Sequence, residues 1–193
     1  PGALDAVREL GGGLANMLIV HSLSKRSSAP GLRCGFIAGD PRWLDPLDAA
    51  LRVGGAGVPL PVLAAGAALW NDEAHVTANR KRYAENFAIA ERILGDIVPG
   101  AAPAGGFFLW LNVGDDESAT VKLWREAGLR VLPGGYMSVP DAQGWNPGAG
   151  YIRVALVHSP ETTEAALTRL RAVLDAELRA AAAAPTTTTD ATA

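Results

Sequence analysis

A short polar segment carries most of the side chains in this sequence that could do chemistry. It contains two hydroxyls, Ser22 and Ser24, directly before the amine of Lys25, and a guanidinium follows at Arg33. Two hydroxyls, an amine and a guanidinium suit the binding of a small anion beside a carbonyl group. Spacing alone leaves a second interpretation open, in which the segment is a polar surface loop and Lys25 is solvated.

Arg153 is the second candidate, because it interrupts an apolar run that extends from residue 151 to residue 157. If that run is a strand, alternation places Arg153 on the same face as Tyr151 and Ala155. A guanidinium that is buried in such a strand needs an anionic partner. A substrate carboxylate, a structural salt bridge and an edge position would each satisfy this pattern.

The remaining polar groups give weaker signals. The three histidines, at 21, 75 and 158, are far apart and lack metal-ligand spacing, so we expect packing or surface roles and no metal site. We predict that residues 115–117 form a solvated loop and helix start and that Arg26 is a solvated neighbour of Lys25. The single cysteine excludes an internal disulfide and a multi-cysteine metal site, and it favours the reducing cytoplasm.

The composition indicates a chain that can bury a core. Of 193 residues, 49% are hydrophobic and 19% are charged, which argues against wholesale disorder. There are 20 acidic and 17 basic residues, so no basic excess exists to bind nucleic acid. The longest uncharged stretch, 53–70, contains two prolines and several glycines, and we expect no membrane helix. Because residue 1 is proline, we expect the chain to start inside a longer or processed sequence.

Short apolar runs alternate with helical patterns along the chain, which predicts an α/β or α+β fold. The predicted strands are 17–21, 34–38, 107–111, 130–132 and 151–157. The predicted helices are 4–10, 41–51, 61–70, 73–98, 118–127 and 159–178, with Asp40 as the N-cap of the second. We predict that Phe107, Phe108 and Trp110 lie in the core and that residues 179–193 form a frayed helix end and a disordered tail.

The order of residues around Lys25 is more specific than their spacing. The pattern Ser-x-Ser-Lys, followed by Pro-Gly-Leu-Arg-x-Gly, resembles the pyridoxal-phosphate lysine signature of class I and II aminotransferases. Further segments follow in that family's order, at 70–76 with 79–80, 105–111, 131–134 and 146–157. Together they resemble in particular the N-succinyldiaminopimelate aminotransferases of bacterial lysine biosynthesis, over roughly residues 1–178.

The resemblance implies an α/β fold of the pyridoxal-phosphate-dependent transferase type, fold type I. It implies that residues 1–85 are the C-terminal part of the large cofactor-binding domain and that 86–178 are the small α+β C-terminal domain. It further implies that Lys25 holds the cofactor as a Schiff base. By the same resemblance, Ser22 and Arg33 bind the cofactor phosphate with help from Ser24, and Arg153 binds the substrate α-carboxylate.

The resemblance also implies a reaction and a set of partners. Such an enzyme would move an amino group between glutamate and N-succinyl-2-amino-6-oxopimelate, as a cytoplasmic homodimer with small amino-acid and 2-oxo-acid substrates. The family's first half, with the aspartate that pairs with the pyridine nitrogen and the aromatic that stacks on the ring, is missing, so we expect this chain alone to be inactive. Residues 51–55 and Gly135 depart from the family pattern, where an aromatic and polar segment and an arginine are expected.

Two alternatives remain at this point. The chain could be a non-enzymatic domain that senses pyridoxal phosphate in a transcription regulator, or an aminotransferase for another amino acid.

Overall fold

The computed structural model describes residues 2–9, 11, 13–55 and 57–183. The chain divides into two units, residues 1–79 and residues 80–193, and each unit is described here by itself. The predicted alternation of strands and helices is confirmed, and the class is α/β.

The first unit is built around a two-stranded antiparallel sheet. Its elements are α1 (Ala3–Glu9), β1 (Leu18–Ser22), α2 (Leu23–Arg26), β2 (Gly35–Gly39), α3 (Pro41–Val53), α4 (Leu60–Asn71) and the beginning of α5 (Ala74–Leu94). Strands β1 and β2 pair from Leu18 opposite Gly39 to Ser22 opposite Gly35. The predicted cap of α3 is confirmed, because the Asp40 side chain accepts a hydrogen bond from the Arg42 amide.

Few apolar side chains are buried in this unit. Leu23 is fully buried, and Cys34 and Val76 are nearly so. On one face of the β1–β2 sheet, the rings of His21 and Phe36 contact Trp70 of α4.

The second unit contains a three-stranded sheet covered by helices. After the remainder of α5 come β3 (Phe108–Asn112), α6 (Asp116–Lys122), β4 (Leu132–Pro133), β5 (Tyr151–Ala155) and α7 (Pro160–Ala183). The strand order is β3-β5-β4, and both pairs are antiparallel. Helix α6 continues into a π-helical turn, Leu123–Ala127, that ends where Gly128 adopts a left-handed conformation.

The main hydrophobic core lies in this second unit. Alternate residues of the strands point into it, so Leu109, Leu111 and Ile152 are fully buried. Helix α7 contributes a buried stripe at helical spacing, formed by Leu167, Leu170, Leu174 and Leu178.

Asn86 is a fully buried polar residue that joins α5 to the end of β5. Its side-chain amide donates to the carbonyl oxygens of Leu156 at 2.9 Å and His158 at 3.0 Å. These bonds satisfy carbonyl groups just beyond the strand, where the sheet no longer pairs them.

Several predicted boundaries were wrong, among them those of α5, β4 and α7. Helix α5 ends at Leu94, four residues before the predicted 98, and Gly95 follows it directly. Strand β4 has only two residues, Leu132–Pro133, whereas 130–132 was predicted. Helix α7 reaches Ala183, so residues 179–183 are helical, because alanine is the strongest helix former and Arg179 pairs with Asp175 one turn earlier. Residues 184–193 of the predicted tail lie outside the described residues.

Candidate active site

The segment around Lys25 begins where β1 ends. Ser22, the last residue of the strand, is the N-cap of α2: its hydroxyl oxygen accepts from the Ser24 amide at 3.1 Å and donates to the Ser24 hydroxyl at 3.0 Å. Helix α2 has four residues, of which Leu23 is fully buried and Lys25 is exposed. The two predicted hydroxyls are therefore in direct contact with each other. They lie three residues and one residue before the candidate lysine.

Three of the predicted cofactor-binding residues line one open cavity of about 620 Å³. Ser22, Ser24 and Arg33 line it, and α3 contributes the apolar Leu44 and Leu47 and the carboxylate of Asp48. Lys25 directly follows Ser24 and is not among the residues that line the cavity. The structure thus brings two hydroxyls and a guanidinium to one concave surface, which is a donor set suited to a phosphate group.

Arg33 has an uncommon backbone conformation for a residue with a side chain. Its φ is 50° and its ψ is 44°, in the left-handed region, at the end of a short 3₁₀ turn, Pro30–Leu32. The guanidinium donates to the Pro30 carbonyl at 3.0 Å. A side chain at Gly35 would collide with the His21 carbonyl, so the close strand pairing beyond Arg33 requires glycine there.

Arg26 was wrongly predicted to be solvated. Only 9% of its side chain is exposed, and it donates to the carbonyls of Leu69 at 2.8 Å and Trp70 at 3.4 Å, at the end of α4. It also pairs with Glu73, and its guanidinium lies 4.9 Å from the centre of the Trp70 ring. Arg26 therefore satisfies carbonyl groups at a helix end that have no partner within the helix.

His75 has a more specific environment than the predicted packing or surface role. Its Nε2 lies 2.9 Å from the Ser27 hydroxyl, and its Nδ1 lies 2.8 Å from a carboxylate oxygen of Asp72. The bond to His75 lowers the pKa of Asp72 below its ordinary value, and a bond from the Ala74 amide acts in the same direction. Residues this far apart in sequence give no spacing signal, which is why the sequence did not reveal the contact.

Arg153 lies at the centre of β5, as the alternation predicted. It is paired with Trp110 of β3 on one side and with Leu132 of β4 on the other. Its guanidinium carbon lies 4.6 Å from the centre of the Phe108 ring and 5.6 Å from that of Phe107. Arg153 Nε is buried and has no hydrogen-bond partner within the part of the chain that the structure describes.

The prediction that the three neighbouring aromatic residues lie in the core was wrong. Phe107 and Phe108 are only half-buried and flank Arg153, and 38% of Trp110 is exposed. The Trp110 ring also stacks on Tyr151, with the two planes 10° apart. The face of the sheet that carries Arg153 is thus aromatic and partly open.

Asp116 was wrongly assigned to a solvated loop and helix start, whereas its neighbour Asp115 is the N-cap of α6. Only 9% of Asp116 is exposed, and its two carboxylate oxygens accept from the amides of Gly135 at 2.8 Å and Gly150 at 3.0 Å. Asp116 therefore fixes the backbone at Gly135, a position where the sequence departs from the family pattern.

The predicted site residues fall into two groups that belong to different units. Ser22, Ser24, Lys25 and Arg33 lie in the first unit, and Arg153 lies in the second. Across the residues that the structure describes, no three side chains of the metal-binding types form a cluster. Over the same residues, no helix is long and apolar enough to cross a membrane.

Comparison with known proteins gives the same family throughout. A family model described as aminotransferase class I and II matches residues 2–170. The 4-dedimethylamino-4-oxo-anhydrotetracycline transaminase OxyQ of Streptomyces rimosus is 35% identical over 165 residues, which are 83% of this chain and 43% of OxyQ.

Solved structures agree in fold. An aminotransferase from Neisseria meningitidis has a TM-score of 0.80 and 37% identity, over 90% of this chain and 44% of that one. LysN, the α-aminoadipate aminotransferase of Thermus thermophilus, shares the fold with a TM-score of 0.73 at 23% identity, over 92% of this chain and 46% of LysN. The chain therefore spans less than half the length of each of these relatives.

Proposed function

The chain belongs to the class I and II aminotransferase family, and on that premise we propose that it serves pyridoxal-phosphate-dependent transfer of an amino group from an amino acid to a 2-oxo acid. The observation that carries the proposal is the cavity lined by Ser22, Ser24 and Arg33, of which Ser24 directly precedes Lys25 in the sequence. These residues occupy the positions of the family's cofactor-lysine motif. Among the relatives, LysN is described as complexed with N-(5'-phosphopyridoxyl)-L-leucine.

The donor set of this chain fits the phosphate of the cofactor. The hydroxyls of Ser22 and Ser24 already contact each other, and both line the cavity with Arg33. A guanidinium presents parallel N–H groups to phosphate oxygens, and hydroxyls supply further donors. We assign these three residues to the phosphate and Lys25 to the covalent bond with the cofactor.

Lys25 is also the group that we assign to proton transfer. Pyridoxal phosphate, when bound, supplies an electron sink for the charge that develops at the substrate α-carbon. Lys25 carries an exposed amine on a short helix, one residue after the Ser24 hydroxyl. Such an amine suits the removal of a proton from that carbon and its later return. We propose no other base for this step.

Arg153 is the residue that we assign to the substrate. Its unpartnered Nε and its position between aromatic rings leave the guanidinium short of an anionic partner. A substrate α-carboxylate would supply that partner in a bidentate geometry. The guanidinium carbon lies 4.6 Å and 5.6 Å from the centres of two aromatic rings, so the carboxylate would bind beside an aromatic surface.

For the substrate itself, we propose the exchange between glutamate and N-succinyl-2-amino-6-oxopimelate. The support is the order of the motifs at 70–76, 105–111 and 146–157, which resembles enzymes of that specificity. The relative OxyQ is named for a transaminase of 4-dedimethylamino-4-oxo-anhydrotetracycline, and Gly135 stands where the family pattern has an arginine, so this chain has no guanidinium at that position. A bulky 2-oxo or ring-ketone acceptor is therefore the second candidate substrate.

We further propose that the protein acts as a cytoplasmic homodimer, as the family resemblance implies. Light scattering after size exclusion would measure the mass, and a monomer under assay conditions would contradict the dimer.

The test of the function is an assay of the full chain with pyridoxal phosphate, glutamate and a panel of acceptors. Formation of 2-oxoglutarate with the succinylated oxopimelate would support the proposed substrate, and turnover only with another acceptor would replace it. Cofactor bound at Lys25 without turnover of any acceptor would match the expected inactivity of these 193 residues alone. The same assay on the chain joined to the first half of a relative then separates the two proposals, because continued absence of turnover would favour the sensor alternative. Failure of the cofactor to bind at Lys25 would overturn the proposal as a whole.

A further inference from the structure

We propose that His75 is a positioning residue for Lys25. It acts through the three residues that follow the lysine, Arg26, Ser27 and Ser28, which we call the clamp segment. The inference rests on the proposed function, because it assumes that Lys25 is the reacting amine. It adds a residue to the site that lies outside the family's lysine motif, fifty positions along the sequence.

Each residue of the clamp segment contacts a different part of the region where α4 ends and α5 begins. Arg26 donates to the last carbonyls of α4 and pairs with Glu73. Ser27 bonds to His75 in the first turn of α5. Ser28 accepts from the side-chain amide of Asn79, one turn further along, at 3.4 Å.

The protons of this network can be assigned from its chemistry. The Asp72 carboxylate can only accept, so His75 Nδ1 carries the proton between them. In the neutral imidazole, Nε2 is then an acceptor, and the Ser27 hydroxyl donates to it. The Ser27 oxygen in turn can accept from Arg26, whose Nη1 lies 3.4 Å away. With this assignment, each of the three hydrogen bonds has one donor and one acceptor.

Asp72 connects the network to the helices themselves. One of its carboxylate oxygens accepts from the Ala74 amide at 2.8 Å, at the start of α5, while the other binds His75. The same carboxylate therefore caps the helix and sets the tautomer of the imidazole. A change at His75 is expected to reach the clamp segment without unfolding α5.

The position of Lys25 between two fixed points explains why the clamp matters. Leu23, two residues earlier, is fully buried, and the Arg26 side chain, one residue later, is 9% exposed. Helix α2 is only four residues long, so it has little stability of its own. We infer that the backbone of Lys25 is held in place by Leu23 before it and by the clamp segment after it.

The experiment compares four variants of the full chain with a matched control. His75→Ala and Ser27→Ala each break the same bond, the double variant combines them, and Ser27→Thr keeps the hydroxyl. The control, Thr77→Ala, removes an exposed hydroxyl two residues beyond His75. Hydrogen exchange is measured without cofactor on the peptide that contains Ser27 and Ala29, whose amides donate to the Leu23 carbonyl. The rate of borohydride-trapped attachment of pyridoxal phosphate to Lys25 is measured in parallel.

We expect His75→Ala and Ser27→Ala to speed exchange in this peptide by about tenfold, which corresponds to one lost hydrogen bond. We also expect both variants to slow trapping at Lys25, with the double variant no worse than either single one. Ser27→Thr and Thr77→Ala should behave as the unmodified protein. If His75→Ala fails to fold, Ser27→Ala still tests the same bond.

Three results would overturn the inference. The first is unchanged exchange and trapping in Ser27→Ala, while the unmodified protein traps cofactor at Lys25. The second is a double variant in which the changes in exchange rate and trapping rate equal the product of the changes in the two single variants. The third is labelling of Ser27 by a fluorophosphonate probe, which would assign the Asp72–His75–Ser27 arrangement to nucleophilic catalysis. Absence of trapping in the unmodified protein would instead contradict the proposed function, and the exchange data would still test the clamp.

Discussion

Arg153 lies directly opposite Trp110 across the antiparallel β3–β5 pair, and both side chains lie on the partly open face of the sheet. The guanidinium carbon lies 4.6 Å from the centre of the Phe108 ring, while the Trp110 indole stacks on Tyr151. Leu132 lies opposite Arg153 on its other side, in β4. The guanidinium therefore has an aromatic neighbour on this face, and we expect an anion to approach it from the partly open side.

The first prediction concerns Arg153 as the carboxylate-binding residue. Arg153→Ala should raise KM for the amino acid by about tenfold to 150-fold, the range for a lost charged hydrogen bond. Arg153→Lys should recover only part of this loss, because an ammonium group cannot form the bidentate contact. Steady-state kinetics with each amino donor would measure both values.

Arg125→Ala serves as the control, since Arg125 is exposed on the π-helical turn of the same unit. A fall in kcat at unchanged KM in Arg153→Ala would contradict the assignment to the ground-state carboxylate.

The second prediction is that Lys25 is the lysine that bonds to the cofactor. The sequence has lysines at only three positions, 25, 81 and 122. Lys25→Ala should abolish the borohydride-trapped adduct and transamination, whereas Lys81→Ala should retain both, because Lys81 is on the exposed face of α5. Peptide mapping of the trapped protein identifies the modified residue, and an adduct at Lys81 or Lys122 would disprove the assignment.

The third prediction separates the role of Arg33 from that of Arg153. Arg33→Ala should weaken retention of pyridoxal phosphate by about 1.5–3 kcal/mol, because a charged hydrogen bond to the phosphate is lost. Equilibrium dialysis against the cofactor measures this loss directly. Arg8→Ala, an exposed arginine of α1, is the matched control. Unchanged cofactor affinity together with a raised substrate KM would show that Arg33 binds substrate.

Local patterns in the sequence were sufficient to predict the order of elements and the cap of α3. Alternation placed Arg153 opposite the buried residues Ile152 and Leu156, and this was confirmed because one face of β5 packs on the core. The cap at Asp40 was likewise predictable, since Asp-Pro at a helix start is a local signal.

Contacts between distant residues could not be predicted from spacing. Arg26, His75 and Asp116 were all expected to be solvated or to have general packing roles, yet each binds a partner that is 19 to 48 positions away or satisfies backbone groups of another element. Polar residues in loops carry no periodic signal, and only the tertiary fold determines whether they meet a partner. Roles could therefore be predicted from the sequence only for residues that belong to local motifs.

The fourth prediction concerns the buried amide of Asn86. Asn86→Ala should lower the free energy of unfolding by about 2–4 kcal/mol, because one buried and one partly buried carbonyl group beyond β5 lose their donor. Asn86→Asp should also destabilise, since a carboxylate cannot donate to those carbonyls. Urea unfolding followed by circular dichroism measures both variants. Asn79→Ala, at the boundary between the units, is the comparison, and an equal effect there would contradict a special role for Asn86.

The last prediction is a pH dependence of the contact between α6 and α7. Lys122 Nζ lies 2.6 Å from a carboxylate oxygen of Glu177, and this hydrogen bond lowers the pKa of Glu177 and raises that of Lys122. A carboxyl whose pKa falls on folding adds stability that is fully present above its ordinary pKa of 4.5 and is lost as the pH falls through the folded value. An amine whose pKa rises on folding adds stability below its ordinary pKa of 10.5 that is lost as the pH rises through the folded value.

The free energy of unfolding should therefore differ most between the unmodified protein and Lys122→Met at a pH between 4.5 and 10.5. The difference should shrink at lower and at higher pH. Urea midpoints at acidic, neutral and strongly basic pH give the profile, and Lys81→Met is the control for loss of an exposed lysine. Because both side chains are about one-third exposed, added salt should reduce the difference at neutral pH. A difference that does not change with pH would show that Lys122 contributes through its methylene groups and not through its charge.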